Sequence, residues 1–266
     1  MVFFKYYSAP PYAESKDIMA PLRYHAIRYT SPELFNDPYD CKCFFQGIDS
    51  EKEDIFSEII NKHLRIACLS RNPHSPIMWS HYSSDHKGYL IEYDIREAAY
   101  EKVEYKEIEP FYYSTQELKE AIDKEYPNIP DSEIQAKMKQ LLEESPVYIQ
   151  KLKDAIFTKH LDWIYEEEYR FMDTNKSGFS GDYIDQNLLP EQINSIVLGY
   201  RFDHDKHDLE LQSIIQEVYG GNLPVYKAQP CLDSYKMIVT PYKFKAPQSK
   251  LQKLTHKIVS KITSLL

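Results

Sequence analysis

Glycine is scarce in this chain, at seven residues in 266. None of the seven builds GxGxxG or GxxxxGK[ST], the spacings that let backbone approach a phosphate closely. Neither a Rossmann dinucleotide site nor a P-loop is expected, so any nucleotide must be held by side chains on another fold. Cysteine is scarce too: Cys41, Cys43, Cys68 and Cys231. One residue separates Cys41 from Cys43, where a zinc knuckle wants two to four, and the thiols read as reduced and buried. No apolar run approaches the roughly 18 residues of a membrane span. Lys5, Glu14, Lys16 and Asp17 interrupt the stretch a signal peptide would need. The expected location is the cytoplasm.

Acidic residues are absent after Asp233, while Lys236, Lys243, Lys245, Lys250, Lys253, Lys257 and Lys261 follow it. The net charge of −9 does not suit a general nucleic-acid binder and leaves room only for a local basic groove. Leu251, Leu254, Ile258, Ile262 and Leu265 fall at helical spacing opposite the lysines. Residues 247–266 are therefore read as a basic amphipathic helix. Docking on its own domain or on a partner subunit is its plainer use, and membrane or nucleic-acid contact the other.

Tyrosine is abundant, 23 residues against 12 Phe and 2 Trp, in a chain that is 42% hydrophobic. That is ample for a core, and tyrosine suits half-wet clefts as well as interiors. Strands are expected at 2–7, 24–30, 64–70, 89–93, 169–172, 195–198, 223–228 and 235–240, with 102–106 a possible partner of 89–93. Helices are expected at 50–63 and 207–219, with one or two helical turns at 78–82. Residues 115–160 carry helical patterns (116–124, 132–144, 147–160) and no convincing strand. The reading is one α+β domain over 1–246, with mostly antiparallel central sheets, flanking helices and a helical insertion at 115–160.

Three segments crowd polar groups beside breakers and aromatics. Phe35-Asn36-Asp37-Pro38-Tyr39-Asp40 builds a turn, or else lets Asp37 or Asp40 meet a metal or fix an arginine. Leu69-Ser70-Arg71 ends a buried strand, and Met78-Trp79-Ser80-His81-Tyr82 then offers an aromatic face, a titratable ring and a hydroxyl. In Trp163-Ile164-Tyr165-Glu166-Glu167-Glu168-Tyr169-Arg170, an extended backbone would put Glu166, Glu168 and Arg170 on one face. Such a cluster is costly to bury without a purpose. A helical backbone would make it only a solvated charge patch.

These segments carry a resemblance to the bacterial family of domains of unknown function numbered 2971. Its pattern is met by Lys5-Tyr6, Asn36–Asp40, Cys68-Leu69-Ser70, Met78–Tyr82, His86-Lys87-Gly88, Trp163–Arg170 and Leu198-Gly199. More distantly the order is similar to that of ADP-ribosyltransferases, which bind NAD without glycine-rich loops. That likeness implies Tyr6 or Tyr7 on a first strand, Ser70 with Trp79 and Tyr82 in the middle, and a late Glu166-x-Glu168. It makes Glu168 the catalytic carboxylate, with Glu166 orienting or activating the acceptor, His81 a further catalytic residue, and Arg71 and Arg170 free to hold pyrophosphate. NAD would be the substrate, with a protein or nucleic acid as possible acceptor, in an enzyme that serves as a toxin or an anti-phage defence effector. A rival reading gathers Mg²⁺ on Asp37, Asp40, Glu166 and Glu168 for phosphodiester hydrolysis, with His81 or Lys87 assisting. A third is a non-catalytic binding module whose acidic cluster pairs with Arg71 and Arg170.

Overall fold

Leu64–Ser70 is an almost unbroken apolar run, and a strand of that kind needs cover on both faces. In the computed structural model of the chain it is the strand on which three others converge. The structure describes residues 1–8, 17–42, 44–46, 60–95, 100–107, 112–130, 132–133, 136–137, 140 and 144–244. In chain order the strands are β1 (Val2–Tyr7), β2 (Ala26–Thr30), β3 (Phe44–Gln46), β4 (Leu64–Ser70), β5 (Tyr89–Asp94), β6 (Tyr100–Lys102) and β7 (Glu104–Lys106). They continue as β8 (Tyr112–Ser114), β9 (Thr158–His160), β10 (Glu168–Thr174), β11 (Tyr183–Asn187), β12 (Ile193–Leu198), β13 (Val225–Pro230) and β14 (Met237–Pro241).

One large sheet runs β11-β2-β4-β1-β5-β12-β13-β14, with β10 joined to β4 and β6 to β10. Its pairings are antiparallel except β12 with β13. The expected α+β class with a mostly antiparallel sheet is therefore what the chain adopts. β10 pairs with β4 along its whole length, from Glu168 opposite Ser70 to Thr174 opposite Leu64. β1 meets β4 only at Phe4 and Ser70, but pairs fully with β5. Ser70 is thus the point where β1, β4 and β10 come together. The main core lies on one side of the sheet: Phe3, Leu69, Tyr89, Ile91, Tyr93 and Phe171 pack there against Leu211, Ile214 and Ile215 of the helix His204–Tyr219.

Two motif glycines are packing devices. A Cβ on Gly88 would lie 2.0 Å from the Tyr7 carbonyl oxygen, and one on Gly199 would lie 2.2 Å from that of His86. The Gly199 N–H donates to the Gly88 carbonyl at 2.9 Å. The His-x-Gly and Leu-Gly steps therefore lock the start of β5 against the end of β12, where no side chain fits.

Several expectations need correction. Residues 102–106 do not pair with β5: β6 joins β10 and β7 joins β9. The stretch 115–160 is not wholly helical. It holds helices Thr115–Glu125 and Pro146–Phe157, then turns at the β-branched Thr158 into β9. β11 was not anticipated; Tyr183 and Asp185 on it hold Arg28, the ring lying 3.7 Å from the guanidinium carbon and the carboxylate taking two hydrogen bonds. Of the expected helix 50–63 only residues 60–63 are described, and they are helical. The amphipathic tail at 247–266 and most of 132–144 lie outside the described residues.

Candidate active site

Leu161–Glu166 is a 3₁₀ helix, and Glu167 after it takes the left-handed conformation at φ 45° before β10 begins at Glu168. The expected extended run is thus broken at Glu167, yet this kink still brings Glu166 and Glu168 together. Both are buried at 4% exposure, while Glu167 turns outward to accept from the Asn72 amide at 2.7 Å. Arg170, two residues along β10 and fully buried, shares the face of Glu168.

Five charged side chains close on one another here. The Arg170 guanidinium donates from Nε to Glu168 Oε1 at 2.8 Å and from Nη2 to Asp40 Oδ2 at 2.6 Å. Its Nη1 reaches the Ile156 carbonyl and lies 3.1 Å from Cys41 Sγ. The Lys159 ammonium sits 2.5 Å from Glu166 Oε2 and 3.3 Å from both Glu168 Oε2 and Asp40 Oδ2. The Trp163 ring lies over that ammonium, 4.8 Å from ring centre to nitrogen. Three carboxylates thus face two cations, and the five together carry one negative charge when Glu166 is ionised.

The two glutamates are pushed in opposite directions. Burial pushes Glu166 up to about 7, against the pull of Lys159, with Glu168 adding to the rise. Burial would lift Glu168 as well, but Arg170 and Lys159 overcome it and hold that carboxyl well below the usual range. Glu168, Asp40 and Glu166 in turn outweigh the burial of Lys159 and keep its ammonium charged. Tyr82 donates its hydroxyl to Glu166 Oε1 and accepts from the Asn36 amide at 3.0 Å. Burial and the Glu166 carboxylate push the Tyr82 phenol up, so it stays a donor. His81 Nδ1 lies 3.1 Å from the Tyr165 hydroxyl.

Asp40, Lys159, Glu166 and Glu168 of this cluster form one wall of a cavity of about 380 Å³. Ser70, His81, Tyr82, Glu166 and Glu168 all line it, as do Tyr6, Asn36 and Asp40. Segments far apart in sequence therefore meet at one cavity, and Trp163–Arg170 touches Met78–Tyr82 through two side-chain pairs. The helix Pro76–Tyr82 makes that contact possible: Ser75 caps it by accepting from the Met78 N–H, and Pro76 fits its first turn. Asp37 shapes the Asn36–Asp40 turn, accepting from the Tyr39 N–H at 2.9 Å, and Asp40 at its end bonds Arg170.

Other named residues lie elsewhere. Trp79 is fully buried among Leu90, Val197 and Met237, with its indole N–H on the Pro73 carbonyl at 2.8 Å, so it offers no face to the cavity. Tyr7 points into the main core, stacking on Tyr89 and bonding Tyr93 at 2.6 Å. Arg71 is exposed and away from the lining. Arg170 is consumed by Asp40, Glu168 and Ile156, which leaves its fork unable to grip a pyrophosphate.

Lys159 is the residue that sequence reasoning missed. It lay inside a stretch taken as helix, and its only signal was the β-branched Thr158 after Phe157. Tyr105 was missed as well; its hydroxyl accepts from the Glu168 N–H at 2.9 Å. Among the described residues no group of three His, Cys, Asp or Glu side chains is arranged to hold a metal ion.

Residues 78–171 match the model of a family described as protein of unknown function (DUF2971). The family likeness read from the motifs holds there. The DUF2971 stretch includes Tyr82, Lys159, Glu166, Glu168 and Arg170, and it runs across 115–160, which the motif pattern had left out. Asn36–Asp40 and Ser70 lie before it. No curated protein and no solved structure matches the chain. Among the described residues no helix is long and apolar enough to cross a membrane.

Proposed function

We propose that the cavity is an active site for cleaving the nicotinamide–ribose bond of NAD, passing ADP-ribose to water or to another acceptor. The observation that carries this reading is the pair of buried glutamates on one cavity wall, Glu168 bonded to Arg170 and Glu166 to Lys159 and Tyr82. Two carboxylates whose environments push their pKa values apart mark an acid/base assignment. Glu168, kept ionised, stabilises the positive charge that grows on the ribose as the C–N bond breaks and its electron pair leaves with nicotinamide. Glu166 accepts the proton of the attacking hydroxyl as the new C–O bond forms. With water as acceptor the products are nicotinamide, ADP-ribose and one proton. Tyr82 and Lys159 hold Glu166 in place, and His81, bonded to Tyr165, lines the same cavity.

We rank the magnesium reading lower. The Lys159 ammonium fills the space between Asp40, Glu166 and Glu168 that a divalent ion would need. The binding-module reading keeps one supporting observation, because Arg170, Glu168 and Asp40 satisfy one another without a ligand.

The test is incubation of the purified chain with NAD, alone and with cell lysate or nucleic acid, while nicotinamide is measured. Release that falls by roughly 10²–10⁴-fold in Glu166→Gln is expected for the loss of a general base. Absence of release under all these conditions would remove the NAD reading.

A further inference from the structure

Lys5 is a charged side chain of the cavity that the chemistry above does not use. It lies on β1 and lines the cavity together with Ser70. β1 and β4 share one bridge, at Phe4 and Ser70, so the strands part beyond it. There the Lys5 ammonium donates to the Cys68 carbonyl at 3.3 Å. An ammonium has three donors, and among the described residues Lys5 forms no ion pair. Ser70 Oγ accepts from the Asn72 N–H at 3.0 Å, and its own proton has no acceptor among the described residues. A cation with spare donors and a hydroxyl with a spare proton thus share one cavity.

Closing the Cys68 carbonyl where the strands part would explain one of the three donors, not all of them. We propose that Lys5 and Ser70 form an anion subsite that takes a phosphate group of the substrate. A phosphate offers several acceptor oxygens in a tetrahedron, so one group can accept from the ammonium and the hydroxyl together, and lysine binds phosphate as a point charge. Burial lowers the Lys5 pKa while Cys68 and Glu168 act to raise it, and Arg28 and Asp185 are the other charges that bear on it. A bound anion adds to the side that keeps it charged. In the NAD reading this anion is the phosphate next to the reacting ribose. The inference rests on the NAD reading for the identity of the substrate, but not for the anion itself.

Calorimetric titration of the full chain with inorganic pyrophosphate, ADP-ribose and nicotinamide riboside tests it. Lys5→Met should weaken pyrophosphate and ADP-ribose by about tenfold or more, as loss of a charge-assisted hydrogen bond does, and leave nicotinamide riboside unchanged. Lys5→Arg should keep most of the anion affinity. If Lys5→Met does not fold, Ser70→Ala decides, and it should weaken pyrophosphate severalfold. Equal anion affinity in wild type and variants, or no binding of pyrophosphate and ADP-ribose to wild type, overturns the subsite. Lys5-dependent pyrophosphate binding without nicotinamide release from NAD keeps the subsite and removes the NAD reading. Nicotinamide release without Lys5-dependent binding does the reverse.

Discussion

Lys159 stands where three carboxylates meet, within 2.5–3.3 Å of Asp40, Glu166 and Glu168. Removing one partner of a buried ion cluster leaves the others uncompensated, which typically costs about 3–5 kcal/mol. Lys159→Met should therefore lower the unfolding free energy by that order in urea titrations. A loss below about 1 kcal/mol would mean that water already reaches the carboxylates. The glutamates and Arg170 were legible in the sequence, because three acidic residues flanked by Trp163, Tyr165, Tyr169 and Phe171 do not read as an ordinary wet face. The pairing was legible only as an alternative, in which Asp40 fixes an arginine and the acidic cluster pairs with Arg170. Arg170 had been offered to a pyrophosphate, and no periodicity shows that a buried Asp40 from 130 positions upstream already holds its guanidinium at 2.6 Å. Trp79 misled for a related reason. An aromatic beside His81 and Tyr82 looks like a clamp, but the two-residue step from Trp79 to His81 sets the indole on the far side of the helix from His81, in the core with Leu90 and Val197.

At the level of elements, the Glu167 kink decides the geometry. An extended run and a helix were the two backbones considered, and the chain uses a 3₁₀ turn ending in a left-handed residue. Alternation was therefore the wrong reason for the right neighbours: Glu168 and Arg170 share a strand face, whereas Glu166 arrives from the preceding turn. Strands such as β4 and β5 were legible because apolar runs bounded by polar residues leave few choices. β9 and β11 were not, being three residues long in one case and rich in Asp, Gln and Asn in the other. The glycine steps make a prediction at this scale. Gly88→Ala would set a Cβ 2.0 Å from the Tyr7 carbonyl, so β1 and β5 must shift apart. Overpacking of this kind costs roughly 1–3 kcal/mol or more, and thermal unfolding should record a lowered midpoint. Gly181→Ala, which meets nothing within 4 Å, serves as the control, and an equal effect of the two would refute the packing role.

Across the whole molecule, the site behaves as a titrating unit set in an acidic protein. Glu166 has a folded pKa of about 7 and an ordinary value of 4.5. The folded state therefore binds the proton more tightly, and its contribution to stability is present below pH 4.5 and lost as pH rises towards 7. Glu168 works the other way, but only as pH falls below its ordinary value. Wild type should lose up to about 3 kcal/mol relative to Glu166→Gln between pH 5 and pH 8. Parallel pH–stability curves for the two proteins would show that Glu166 titrates normally. The same proton governs the proposed chemistry, since Glu166 must be ionised to accept one. The most direct measurement is therefore the pH dependence of nicotinamide release from NAD. We predict a rate that climbs through about pH 7 in wild type and is flat and lower in Glu166→Gln. A wild-type rate that is pH-independent from 5 to 9, or unchanged by Glu166→Gln, would contradict the role assigned to this carboxylate.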